Sequence, residues 1–319
     1  MKRSILLLLA GILATTVSLA QVTGRRTIKG LQSPESVVAW KNGYFVSQMG
    51  YAPDPAAKDG NGAIAFVKGR KIKYPRYFND TLHAPKGLTI IGHTLYVTDI
   101  DHLKGYDIRN RKKVFDLNLE DRAGMLNDIT PANDSLLVMT DSFKGDVWLV
   151  NPHSVTMKRL GNIPAANGVL YNPLTDELYV CSMGPDMNGK GLLWHRKLNV
   201  NGDVFEPVKN SPTGLFDGIV QLDSSHLCLS DWTTEIKIKQ GPKYGTLHVY
   251  DLSTGDDFPV LVKQSPADIA LDKRKGLLIP VMLNNTLEIW SPEETESIYV
   301  PVITGGKPGT ASAPVDRSH

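Results

Sequence analysis

Six positions of this chain combine residue types and spacing that could do chemistry together: Glu35, Lys86, Asn127, Asn167, Asp217 and Ala267. Each stands in a short phrase that recurs along the sequence. The phrases are Pro34-Glu35-Ser36-Val37, Pro85-Lys86-Gly87-Leu88, Leu126-Asn127-Asp128-Ile129, Ala166-Asn167-Gly168-Val169, Phe216-Asp217-Gly218-Ile219 and Pro266-Ala267-Asp268-Ile269. The leading residue precedes a small or polar one, and a branched aliphatic then opens a strand. A Glu, an Asp and two Asn that converge offer two carboxylates and two amide carbonyls, all hard oxygen donors. That set suits Ca²⁺, which takes 6–8 oxygens in flexible geometry. No Cys or His cluster has the spacing of a zinc site. If they share a narrow space, Glu35 and Asp217 repel each other, and a divalent cation cancels that charge.

Lys86 admits two accounts. Its ammonium could orient a substrate carbonyl or carboxylate and stabilise a developing oxyanion beside the metal. Alternatively it could pair with Glu35 or Asp217 and stand in for the ion. Glu35, Asp128 and Asp217 carry three negative charges against one Lys, and this balance favours an ion as well as the Lys. Asp268 stands one residue off the leading position and is expected to serve a turn.

The elements that must bring these residues together follow from their separations of 51, 41, 40, 50 and 50 residues. Steps of roughly 40–50 residues, each holding several short strands, are the signature of propeller blades. The reading is all-β, a six-bladed β-propeller whose six leading residues face one axis. Second strands are expected at 44–47, 95–99, 136–141, 178–182, 227–231 and 277–281, and third strands at 63–67, 104–108, 146–150, 192–196, 246–251 and 286–290. Weaker fourth strands are marked at 71–74, 113–117 and 260–262. No sustained helical period follows residue 20. Either 27–31 or 297–300 could close the last blade.

The links between second and third strands should emerge on the face that carries the leading residues. Three are long: 48–62, 183–191 and 231–245. Long loops on one face of a rigid scaffold build binding sites, and these offer Met49, Tyr51, Met183, Met187, Trp232 and Tyr244 as walls.

With 41% hydrophobic and 21% charged residues in 319, the chain reads as an ordinary globular protein. Residues 1–20 read as a secretory signal peptide: Lys2-Arg3, an apolar run, then Ser18-Leu19-Ala20 as a small-x-small cleavage site. Residues 21–303 then form the propeller, and 304–319, rich in Gly, Pro, Ser and Ala, a disordered tail. The protein is expected to be exported, to the periplasm or beyond. Removal of the signal leaves 33 basic against 33 acidic residues, which argues against a nucleic-acid partner. No later segment is long enough to span a membrane. The two cysteines, Cys181 and Cys228, fall at non-equivalent places in different blades and are expected to be buried free thiols.

These phrases resemble the six-bladed propellers of the regucalcin (senescence marker protein) and gluconolactonase family, to which the paraoxonases and diisopropyl fluorophosphatase are related. Those proteins hold Ca²⁺ through a first-blade Glu, the Asn of an Asn-Asp pair, an Asn often followed by Gly, and an Asp usually followed by Gly. The resemblance puts the ligands on Glu35, Asn127, Asn167 and Asp217 and implies a metal-dependent hydrolase of a lactone or related small-molecule ester. The side chains expected to carry catalysis are Asp128 as base or nucleophile, Asp217, and Lys86 on its own chemistry. Two positions depart from the family. Met125 stands where the sugar-lactone members carry an Arg, and Lys86 where the paraoxonases carry a His. The competing expectation is a non-catalytic propeller that binds a ligand or protein on the same face.

The remaining candidates point inward to structure. Asp99, Asp141 and Asp231 end second strands with Thr or Ser before them, a pair suited to hydrogen bonds within the blade. His83 and His102 flank the second blade, and a lone His there is expected to be hydrogen-bonded or at the surface. No phosphate loop or nucleophile motif is present.

Overall fold

The second strand of each repeat is a short apolar run, and it is the most buried part of the blade. Leu137–Asp141 and Gly276–Val281 are buried at every residue, because each sheet has a neighbouring sheet against both faces. Outer strands such as Lys112–Asn118 alternate toward solvent. A computed structural model describes residues 24–199, 204–232, 244–272, 274 and 276–299; the expected signal segment and tail lie outside them. It holds six four-stranded antiparallel sheets. They pack through apolar clusters shared by successive sheets, as where Val138 and Val147 meet Val169, Leu178 and Val180. The fold is a six-bladed β-propeller. No helix among the described residues is long and apolar enough to cross a membrane.

Five sheets run inner to outer in chain order. The sixth joins Ala270–Asp272, Gly276–Val281 and Thr286–Trp290 to Arg25–Lys29, in a register from Arg25 opposite Trp290 to Lys29 opposite Thr286. The N-terminal segment therefore closes the ring, and the alternative closing segment does not. Pro292–Glu296 is a short helix whose Ser291 cap accepts the Glu294 N–H. The fourth strands of blades three and four, Thr156–Asn162 and Glu206–Pro207, carry no apolar alternation and escape a hydropathy reading.

The leading residues owe their direction to a repeated irregularity. In blade one Pro34 pairs with Gln48 and Val37 with Val46, so three steps on the inner strand face two on its partner. The same extra residue occurs at Pro85/Leu88, Leu126/Ile129, Ala166/Val169 and Phe216/Ile219. A bulge of this kind takes a pair of residues out of the ladder and re-aims a side chain. In five blades that pair is the leading residue and its follower.

Neighbouring blades meet so closely at these bulges that a side chain often has no room. A Cβ on Gly168 would lie 2.4 Å from the Asp217 carbonyl oxygen, and one on Gly218 would lie 2.4 Å from the Ile269 nitrogen. A hydroxyl near the end of the second strand ties the joint. Thr98 donates to the carbonyl of Asn127, Thr140 to that of Asn167 at 2.7 Å and Ser230 to that of Ala267 at 2.8 Å. In blade four Cys181 takes this place, its thiol donating to the Asp217 carbonyl at 3.4 Å. Both cysteines are free and buried. The Asp that follows the hydroxyl acts inside its own blade: Asp99 accepts from Ala84 N–H at 2.9 Å, Asp141 from Met125 N–H at 2.9 Å and Asp231 from Leu215 N–H at 2.8 Å. The Asp therefore works within a blade, as its position suggested, while the hydroxyl before it works between blades.

Asp231 also meets a histidine. His248 lies 3.3 Å from Asp231 through Nε2 and 2.8 Å from Asp257 through Nδ1. Burial lowers its pKa, but the bonds to Asp231 and Asp257 outweigh that and hold it up at about 9. A raised pKa adds stability that is fully present below the unfolded value near 6.5 and lost as pH rises through about 9. The stability gap between wild type and His248→Gln, followed by urea unfolding, should therefore narrow by about 3 kcal/mol from pH 6 to pH 10. A gap that stays constant across this range would mean that His248 is neutral in the fold.

Candidate functional site

Glu35, Lys86, Asn127, Asn167 and Asp217 line one cavity of about 300 Å³, and each is buried, Lys86 to 1% exposure. Ala267, the sixth leading residue, is fully buried in an apolar cluster with Met49, Ala84, Ile100 and Met282. The four oxygen-bearing residues expected to converge therefore face the same space.

Their hydrogen bonds leave specific oxygens free. Asn127 donates from Nδ2 to Ser142 Oγ at 2.9 Å, which turns its carbonyl oxygen away from Ser142. Asn167 donates from Nδ2 to the Phe216 carbonyl at 3.1 Å, and its Oδ1 has no partner. Glu35 Oε2 is also buried without a partner. Asp217 accepts from the Trp232 indole at 3.1 Å and from the Asn167 amide. Buried oxygens without partners are rare in folded proteins, because each loses hydration without replacement.

Lys86 takes neither of the partners that its sequence position suggests. Its ammonium donates to the carbonyls of Pro55 at 2.7 Å and Ala84 at 2.9 Å. Burial lowers its pKa to about 8, against the pull of Glu35, Asp99 and Asp217.

Asp128 lies behind the ring and off the cavity lining. Its Oδ1 accepts from Ile129 N–H at 2.6 Å, and its Oδ2 accepts from Val169 N–H of the next blade at 2.7 Å. Both oxygens are engaged, Oδ1 within blade three and Oδ2 across the joint to blade four. Asp268 does the matching job at the closing joint, where it accepts from Ser36 Oγ while its own N–H donates to the Glu35 carbonyl at 2.9 Å.

The electrostatics of this centre are unbalanced. Burial, then Asp217 and Asp268, push the Glu35 carboxyl well above its ordinary range. Burial lifts Asp217 to about 7 in spite of Trp232 and Asn167, and Asp128 to about 7 in spite of its two backbone donors. Asp268 is raised well above its usual value, first by burial and then by Asp128. Four buried carboxyls thus share one buried ammonium. The fourth, Asp268, reads as a turn residue in the sequence and so falls outside a charge count of the leading phrases.

The rest of the cavity is apolar. Met49, Met125, Met183, Met187 and Met282, five of the chain's eight methionines, line it with Trp232. Of the expected walls, Met49, Met183, Met187 and Trp232 are in place. Tyr51 is 80% exposed, and Tyr244 is not part of the lining. Met282 was not legible as a wall, because it follows a second strand with no long loop. The role of Pro55 is carried by a backbone carbonyl, for which sequence holds no signal.

No family model matches this sequence, and no curated protein is similar to it. Solved structures share its fold. One is a gluconolactonase from Xanthomonas campestris, with a TM-score of 0.62 and 14% identity over 84% of this chain and 89% of that one. Another is a chain of a nidogen/laminin complex, with a TM-score of 0.54 and 12% identity over 82% of this chain and 95% of that one. A third belongs to the hydrazine synthase of Kuenenia stuttgartiensis, with a TM-score of 0.54 and 12% identity over 85% of this chain and 77% of that one. Proteins of such different kinds share the architecture, which leaves function to the site.

If Asp128 is a clasp, Asp128→Asn places an amide nitrogen against a backbone N–H. The variant should lose about 1–3 kcal/mol of stability, the cost of an unsatisfied buried group. A urea midpoint equal to that of wild type would show that the carboxylate does not hold the two blades.

Proposed function

We propose that the axial cavity is the calcium-dependent hydrolytic site of an exported protein, acting on a lactone or ester with an apolar body. The observation that carries this reading is the pair of buried, unpartnered oxygens, Glu35 Oε2 and Asn167 Oδ1, beside a surplus of buried carboxyls. Hard donors and excess negative charge fit a hard divalent cation better than they fit a dry tunnel. Glu35, Asn127, Asn167 and Asp217 would hold the ion, and when bound it supplies polarisation of a carbonyl oxygen. The gluconolactonase among the structural neighbours supports a lactonase-like reaction at the level of fold.

The chain's own side chains supply the rest. Lys86 has three N–H donors and spends two on Pro55 and Ala84. Its third donor remains for a substrate carbonyl or carboxylate in the cavity that it lines. Trp232 fixes Asp217 Oδ2 through its indole N–H. The thioether wall selects the acyl or aryl part, since each sugar hydroxyl set against Met would lose hydration unpaired, at about 1–3 kcal/mol.

The same cavity supports a second reading as a ligand-binding propeller without catalysis. What favours it is Asp128, whose two engaged oxygens leave no free carboxylate beyond the proposed ligand set.

Thermal melts and assays separate these readings. Ca²⁺ should raise Tm and chelator lower it, because an ion bound only to the folded state stabilises it. Asp217→Ala should lose that response. Medium-chain lactones and aryl esters should turn over in the presence of Ca²⁺, and polyhydroxylated sugar lactones should not. Lys86→Met should keep or tighten Ca²⁺ binding and lower kcat/KM by at least about tenfold, or ~1.4 kcal/mol. Calcium binding with no turnover across a broad panel would favour the binder. A Ca²⁺ response that appears only in Lys86→Met would show that the ammonium replaces the ion.

A further inference from the structure

The link between the second and third strands of blade two is only two residues, Ile100 and Asp101, and it crosses with Ile100 at φ 58°. This tight turn sets Asp101 beside His102, and Leu119 N–H bonds to the Asp101 carbonyl at 2.8 Å, which brings Glu120 alongside. Ligand atoms of Asp101, His102 and Glu120 all lie within 4.8 Å of one another.

Three features set this cluster apart from an ordinary charged surface. Asp101 is 6% exposed, and its Oδ1 is buried with no hydrogen-bond partner. That oxygen faces His102 Nε2 at 3.9 Å, too far for a hydrogen bond. The other imidazole nitrogen, Nδ1, is held by Asp116 Oδ1 at 2.7 Å. A carboxylate that takes the Nδ1 proton in a hydrogen bond leaves Nε2 as a lone-pair donor, the arrangement that orients metal-binding histidines.

The cluster is occupied in part by cations of the chain itself. Lys58, 46% exposed, reaches from the long loop 48–62 to Asp101 Oδ2 at 2.5 Å and Glu120 Oε1 at 3.2 Å. Lys113 pairs with Asp116 at 2.8 Å and with Asp80 at 3.3 Å. Neither lysine reaches Asp101 Oδ1.

We propose that Asp101, His102 and Glu120 form a second cation site, at the rim of blade two, for a borderline divalent transition ion such as Zn²⁺. One imidazole nitrogen and two carboxylates match the donor set of such an ion, which binds N and O ligands at about 2.0–2.2 Å, with water completing the shell. Asp116 is a positioning residue that fixes the ring. Lys58 competes with the ion for both carboxylates, so its departure accompanies binding. The site differs from the axial set in chemistry, because it has a nitrogen donor where the axis offers only oxygen.

The test uses the full-length protein with Ca²⁺ in excess, so that all-oxygen sites are saturated before the borderline ion is added. Zn²⁺ is titrated by calorimetry, and Co²⁺ is added as a spectroscopic probe of a nitrogen-containing shell. Wild type should bind one equivalent. His102→Gln should bind none, Asp116→Asn should bind about 10–100-fold more weakly, and Lys58→Met should bind more tightly by removing the competitor. Asp217→Ala should bind Zn²⁺ as wild type does, which separates this site from the axial one whatever Ca²⁺ does there. If neither wild type nor Lys58→Met binds, or if His102→Gln binds unchanged, the proposal is wrong. Because Lys58→Met removes only an exposed ammonium, it decides the matter even if a His102 variant fails to fold.

Discussion

At the axis of this propeller, inner-strand heads are tied to those of the next blade at five joints, from blade two round to blade one, and the geometry of the cavity depends on those ties. In five of the six blades a bulge lifts two residues out of the ladder. The first of the two turns inward. The second meets the neighbouring blade, where either the backbone comes too close for a Cβ, as at Gly168 and Gly218, or a side chain spans the joint, as Asp128 and Asp268 do. Hydroxyls from Thr98, Thr140 and Ser230, with the Cys181 thiol in the fourth blade, close the same joints from the other side. The leading side chains are therefore positioned by backbone hydrogen bonds between blades, with little freedom left to any one of them. A rigid first shell of this kind favours selection of a ligand by preorganisation.

That rigidity has an electrostatic cost. Bringing Glu35, Asp128, Asp217 and Asp268 together out of water raises the pKa of each, burial being the largest cause in every case. Asp128 offsets the cost with two backbone donors and Asp268 with the Ser36 hydroxyl. Asp217 has Trp232 and Asn167. Glu35 stands apart: one of its oxygens has nothing. Two of the four carboxyls thus explain themselves as structure, and the two in the first and fifth blades keep capacity directed at the cavity. The distinction follows from which residue of the bulged pair carries the acid.

Much of this was legible in the sequence because propeller repeats write their period openly. The six leading positions, the second and third strands and the shared face of four ligand candidates all follow from one phrase and its spacing. What escaped reading was carried by backbone atoms or by long-range partners. Lys86 could be placed at the axis, but its two carbonyl partners could not, since Pro55 belongs to a loop without repeat. Asp128 was legible as adjacent to a ligand. Its orientation is set by Val169 N–H, 41 residues on, and only the bulge register shows that the side chain turns to the next blade. The outer strand Thr156–Asn162 buries Leu160 but has no period-two apolar alternation to read, and Glu206–Pro207 is only two exposed residues.

The loop 48–62 joins the two charged regions of the molecule through a pair of lysines that point in opposite directions. Lys58 leaves the loop to reach Asp101 and Glu120, whereas Lys86 leaves blade two to reach the loop at Pro55. The two attachments are three residues apart along the loop. A change at the rim can reach the axis through the Pro55 carbonyl, and also through Ala84, whose carbonyl accepts from Lys86 and whose N–H donates to Asp99, two residues before Asp101. Coupling between two sites requires that one ligand bind the two arrangements of the connecting element with different affinity. One such element is the loop around Pro55, where Pro53 and Pro55 restrict the backbone. The ammonium of Lys86, held by that carbonyl, is the point at which such a shift would change the charge presented to the cavity.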